Sequence, residues 1–179
     1  SSAVMATAEY DALDRLIEQS KAITDKKLAR IGDIRQRLST PHLTDRQRYE
    51  ICMQLYNEYE AFRFDSALVY ANRTILYAKR MRNDKYLAEA QLKKVHVHTL
   101  AAFFVESRDL LDSIKVSTLD PQLTQAFNDE WYLLMSLLAE YTAGTQLHAS
   151  YEGRVEYYRR LILASPYKDT YAYVRAEMT

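Results

Sequence analysis

Glycine, proline and cysteine are scarce in this 179-residue sequence, at three, three and one. Three glycines (32, 144, 153) and three prolines (41, 121, 166) are too few for the many tight turns of a sandwich or barrel. No GxGxxG or GxxxxGK[ST] loop can be built from them, so a glycine-rich phosphate cradle is excluded. One cysteine, Cys52, excludes an intramolecular disulfide framework and any multi-cysteine metal site, and its apolar helical setting marks it as a core residue. Charge of one sign is also missing. Lys plus Arg and Asp plus Glu are each 24, which removes the large positive field of a nucleic-acid binder. The run Lys79-Arg80-Met81-Arg82 reads as a helix end complementing its dipole. Nor is there a long apolar run: Leu100 to Val105 is the longest, against the ~20 residues a membrane span needs.

What is present is helical periodicity. Apolar residues recur at alternating spacings of four and three: Phe64, Leu68, Ala71, Ile75, Ala78; then Ala88, Leu92, Val95, Thr99, Ala102; then Leu123, Phe127, Trp131, Leu134, Leu138, Tyr141. Period-two alternation is absent. Helix ends carry their own chemistry. Thr44 and Gln47 match a capping box after a Ser39-Thr40-Pro41 break, Asp65, Asn83 or Asp84, and Asp120 before Pro121 are N-cap candidates, and Gly144 suits a left-handed closing residue. Helices are predicted at about 8–39, 45–61, 65–81, 84–103, 107–114, 121–143, 151–164 and 169–178. Short connectors make sequential helices antiparallel hairpins.

Two hairpins align. Leu55, Tyr56 and Tyr59 followed by Ala67, Leu68 and Ala71 correspond to Val95, His98 and Ala102 followed by Ser107 and Leu111. In each, a ring precedes a small residue at the start of the next helix, which lets the two helices approach closely. Leu55, Ala67, Ala71, Val95, Ala102, Ser107, Leu111 and Trp131 are therefore expected at the packing seams. The expected organisation is one domain over 1–179: a long helix at 8–43, repeats at 44–82, 83–117 and 118–165, and the start of a further helix at 166–179. The units resemble tetratricopeptide repeats (TPR), giving an all-α, right-handed superhelical array of antiparallel hairpins.

Catalytic signals are absent at this level. His96 and His98 lie two apart on one helix and so point roughly 200° apart, which denies them a common metal. Glu58 with Glu60, and Asp109 with Asp112, read as solvated faces, and no Ser/His/Asp or HExxH pattern occurs. The reading is non-catalytic, with no cofactor and no metal; an all-α enzyme would need a deep pocket joining perturbed groups from several helices. Fifteen tyrosines are the compositional oddity. Most suit packing with a hydroxyl at the edge, and a cluster of Tyr56, Asn57, Tyr59, Asn72, Arg73 and His98 is the candidate groove for a protein or peptide partner, or for self-association.

The wording of the repeats goes further. LYNEYEAFRFDSALVYANR (Leu55 to Arg73), with KKLARI upstream and FFVESRDLLDSI downstream, resembles the N-terminal TPR-like domain of Bacteroidetes regulatory proteins over about 10–175. That resemblance implies an exported, periplasmic sensor domain, tethered to the inner membrane by a span outside this sequence and followed by a cytoplasmic output region. It implies no direct nucleic-acid binding by this segment. A start at Ser1 and an end inside a helical segment fit an excised N-terminal part. The alternative is a free-standing cytoplasmic scaffold or adaptor.

Overall fold

The computed structural model describes residues 2–179, among which there are eight α-helices and no strand. The helices are α1 Ser2–Gln36, α2 Asp45–Tyr59, α3 Phe64–Arg80, α4 Asp84–Leu100, α5 Phe104–Ser113, α6 Pro121–Tyr141, α7 His148–Leu163 and α8 Tyr171–Glu177, with short 3-10 turns at Arg37–Ser39 and Val116–Thr118. The chain divides into two compact units, Ser1–Leu43 and Thr44–Thr179. The division falls where Pro41 and a left-handed His42 (φ 60°) interrupt the helical backbone.

The first unit is α1 and its closing 3-10 turn. Ile31 is the buried residue of α1.

The second unit is a stack of hairpins. Its starts are fixed by side chains that satisfy orphan amides. The Thr44 hydroxyl accepts from the Gln47 amide at 3.1 Å while Gln47 Oε1 accepts from the Thr44 amide at 2.9 Å. Asn83 accepts from Tyr86 N at 3.0 Å, Asp120 from Leu123 N at 2.8 Å and Thr170 from Tyr173 N at 3.1 Å. Asp65 is not a cap. Helix α3 begins one residue earlier, with extended Arg63 as its N-cap, and Asp65 instead sits in the first turn facing the positive end of the dipole.

Helix ends without glycine explain another difference. The amides of Arg82 and Asn83 bond back to the carbonyls of Lys79 and Ala78, and those of Ala102 and Phe103 to Thr99 and His98. These are two Schellman closures, with Arg82 (φ 52°) and Ala102 (φ 64°) in the left-handed position. Ala102 is thus an exposed turn residue, not a packing residue of α4. Its turn also hands the chain directly into α5, which starts at Phe104 rather than near 107.

Within each hairpin, small residues set the approach. Ala67, Ala71 and Ala78 are fully buried along one face of α3, and the rings of Tyr59 and Tyr70 stack at 5.7 Å across α2 and α3. Between α4 and α5 the Thr99 hydroxyl donates to that of Ser107 at 2.8 Å, with Val95 and Leu111 fully buried nearby. Ala88, Leu92, Val95, Leu111, Ile114, Leu123, Trp131, Leu134 and Met135 form one core, and Tyr132, Ile162, Tyr173 and Ala176 a second. Each large aliphatic side chain so buried contributes roughly 1.5–3 kcal/mol.

The stacking of hairpin on hairpin is seen in tyrosines. Tyr49 and Tyr56, two turns apart on α2, donate their hydroxyls to the carbonyls of Tyr86 and Lys93 on α4, each 37 residues further on, at 3.2 and 3.1 Å. An equal offset at both places means α2 and α4 run parallel in register. Helix α4 also runs parallel to α6: Lys85 pairs with the N-cap Asp120 at 3.3 Å and His96 with Glu130 at 3.0 Å, offsets of 35 and 34 residues.

Candidate functional site

Helices α2, α4 and α6 are the first helices of successive hairpins, and each contributes one ionisable side chain to a single row. His96, on α4, places Nε2 3.1 Å from Glu60 Oε1, just past the end of α2, and Nδ1 3.0 Å from Glu130 Oε1 on α6. Burial alone would lower the imidazole pKa. The hydrogen bonds and charges of Glu130 and Glu60 outweigh it and raise it to about 10, so both ring nitrogens donate and the ring is a cation at neutral pH. The hydrogen bond from His96 holds the Glu60 carboxyl below its ordinary value.

Beside this row opens a cavity of about 470 Å³, lined by Glu60, His96, Leu100, Asp129, Glu130, Tyr132, Leu133, Thr170, Tyr171, Ala172 and Arg175. Burial, reinforced by the neighbouring Glu130 charge, lifts Asp129 to about 7 despite hydrogen bonds from Gln125 and Thr170. Tyr171 stands at the rim, 79% exposed. A larger cavity of about 690 Å³ lies between α6, α7 and α8. Its polar side chains face one another, with His148–Glu152 at 3.1 Å and Arg175–Glu140 at 3.5 Å, and the Arg159 guanidinium donates to the Ala176 carbonyl at 2.9 Å. The smaller cavity is the one that reaches α4, α6 and the end of α2 together.

The chemistry of the row is that of a strut. The two imidazole nitrogens point to opposite sides of the ring, so Glu60 and Glu130 do not converge on one point. Among the described residues no group of three or more His, Cys, Asp or Glu could hold a metal ion. Cys52 is fully buried, and burial pushes its thiol up to about 11, away from thiolate chemistry.

The residues named from sequence are distributed differently. Tyr56 is fully buried with its hydroxyl on the Lys93 carbonyl, and Tyr59 is buried against Tyr70; both are core, so neither lines an open groove. Asn57, Asn72 and Arg73 are exposed, with the Arg73 guanidinium 5.3 Å from the centre of the Tyr70 ring. His98 is half-buried and meets the Phe103 ring edge-on at 6.1 Å, and burial together with Lys94 lowers its pKa. None of the six lines the cavity beside the row. Leu55, Ala67, Ala71, Val95, Ser107, Leu111 and Trp131 are buried.

Parallel first helices, small residues at the hairpin seams and a continuous row across three hairpins are the marks of a TPR array. The chain belongs to the SusR N-terminal TPR domain family. The match runs over residues 17–179. No curated protein and no solved structure matches the chain. As a TPR domain of the SusR type, it is a helical-repeat module of the class used for protein interaction or sensing.

Glu60 was expected on a solvated face but is ion-paired to His96 and only 31% exposed, and Glu130 carried no local signal of its own. Glu130 lies 34 residues beyond His96, the period of a TPR unit. That spacing was the signal for residues sharing one face.

Proposed function

We propose that this SusR-type TPR domain is the non-catalytic input module of a membrane-anchored signal-transduction or transcription regulator, held on the periplasmic side of the inner membrane. It recognises a protein or peptide segment along the face of α2, α4 and α6. The observation that supports this reading most is the Glu60–His96–Glu130 row beside the cavity, since it ties three hairpins together at the place where a ligand would lie. A segment bound there touches every hairpin of the stack, and one that favours one arrangement of the row over another shifts the array.

Two measurements test it. Alkaline phosphatase fused after Thr179 in the natural full-length protein is active if the domain is exported, and an inactive fusion overturns the periplasmic placement. Peptides captured by the 179-residue protein from an immobilised array should bind at least about tenfold more weakly to Tyr171→Ala, which removes an exposed rim ring. Binding that ignores Tyr171→Ala overturns the cavity as the recognition site.

A further inference from the structure

Helix α1 carries an exposed apolar stripe. It is 35 residues long, about 52 Å at 1.5 Å per residue. Tyr10, Leu13, Leu16, Ile17 and Ile23 are exposed by 69, 51, 62, 57 and 69%. With Ser20 and Thr24 they fall at three- and four-residue spacings, within one arc of the helix. Scattered exposed leucines need no account, but a stripe sustained over four turns does.

The charges beside the stripe say what covers it. Glu9, Asp11, Asp14 and Glu18 precede Ser20, with Arg15 the one cation among them, whereas Lys21, Lys26, Lys27 and Arg30 follow it, with Asp25 the one acid among them. The macrodipole favours such an order only in the first and last turns, and these residues lie in the helix interior. A surface that is acidic at one end and basic at the other is complementary to itself turned end for end. We propose that the stripe docks the α1 helix of a second copy, antiparallel, about a two-fold axis passing between Ile17 and Ser20.

In that register Ile17 packs on Ser20 of the other copy, Leu16 on Ile23 and Leu13 on Thr24, and Asp14 meets Lys21 on the flank. Every contact occurs twice, as an isologous pair requires. A parallel pair would instead bring Glu9 of one copy beside Asp14 of the other, like charge on like. The acidic flank also disfavours a membrane surface, since an interfacial helix is lined by Lys and Arg.

Sedimentation equilibrium of the 179-residue protein, from about 1 to about 200 µM, tests this as a weak contact. A reversible dimer is expected. Ile17→Asp should weaken it at least about a hundredfold, with helical circular dichroism unchanged, because both central isoleucines give way to a carboxylate in the seam. Asp14→Lys should weaken it up to about tenfold through its two symmetric pairs, and Asp14→Lys with Lys21→Asp should restore it. A chain still monomeric at the top concentration overturns the proposal, as does a dimer indifferent to Ile17→Asp. Tighter association of Asp14→Lys overturns the antiparallel arrangement. A monomer that sediments with phosphatidylglycerol vesicles makes α1 a membrane arm, and also overturns it.

Discussion

The side chain of His96 is only 26% exposed, and Glu130 and Glu60 beside it are 16 and 31% exposed. Breaking such a pair costs far more than losing a surface contact, because uncompensated charge stays behind. His96→Gln leaves two carboxylates facing a neutral amide, and we expect it to destabilise by about 3 kcal/mol at pH 6. The pH dependence has a definite sign. The folded pKa of about 10 lies above the ordinary histidine value of 6.5, so the contribution is full below about pH 6.5 and fades as pH rises towards 10. Urea unfolding of both proteins should therefore show a gap that narrows between pH 6 and pH 10; a constant gap would mean that His96 acts through packing. Asp129 behaves oppositely to an ion-paired acid. Its folded pKa of about 7 lies above the ordinary 3.8, so ionisation disfavours the fold increasingly from about pH 4 to pH 7. Asp129→Asn should be neutral at pH 4 and stabilise by about 1 kcal/mol at pH 8, as read by the same unfolding curves. None of this was legible residue by residue. A histidine's pKa is set by what other helices place beside it, and nothing in the local sequence around His96 announces Glu60 or Glu130.

Helices were far more legible, because periodicity and capping act over a few residues. Thr44, Asn83 and Asp120 each cap where the sequence places them. The end of α4 and the start of α5 differed for one reason. The turns after α3 and α4 close through left-handed Arg82 and Ala102, where glycine would have marked them. The apolar period simply ran on through Ala102 as though α4 continued. A left-handed alanine costs about 1 kcal/mol relative to glycine. Ala102→Gly, at an exposed position with no contacts to lose, should raise stability by roughly that amount. Thermal melting checks it, and a drop would show that the turn is not left-handed in solution.

At the scale of the whole chain, the repeat was readable from the Ala67 and Ser107 seams, since small residues at helix crossings recur with the unit. The break near residue 43 was readable too, from Ser39-Thr40-Pro41; that it separates two compact units was not, because a break between two helices looks the same in sequence whether or not it does so. The burial pattern makes that boundary testable. Among the described residues every buried apolar residue other than Ile31 lies beyond Thr44, from Tyr49 to Ala176, and both core clusters lie there as well. A hairpin stack holds itself by contacts between neighbours, so removing what lies outside the stack should leave it folded. The fragment 44–179 is expected to be strongly helical and to unfold in one cooperative transition. It should also be monomeric at concentrations where the 179-residue chain associates, because the stripe of α1 has gone. Circular dichroism melting with sedimentation equilibrium on the same samples separates the two statements: loss of cooperativity would make residues 1–43 part of the folding unit, and a fragment that still dimerises would move self-association onto the hairpins.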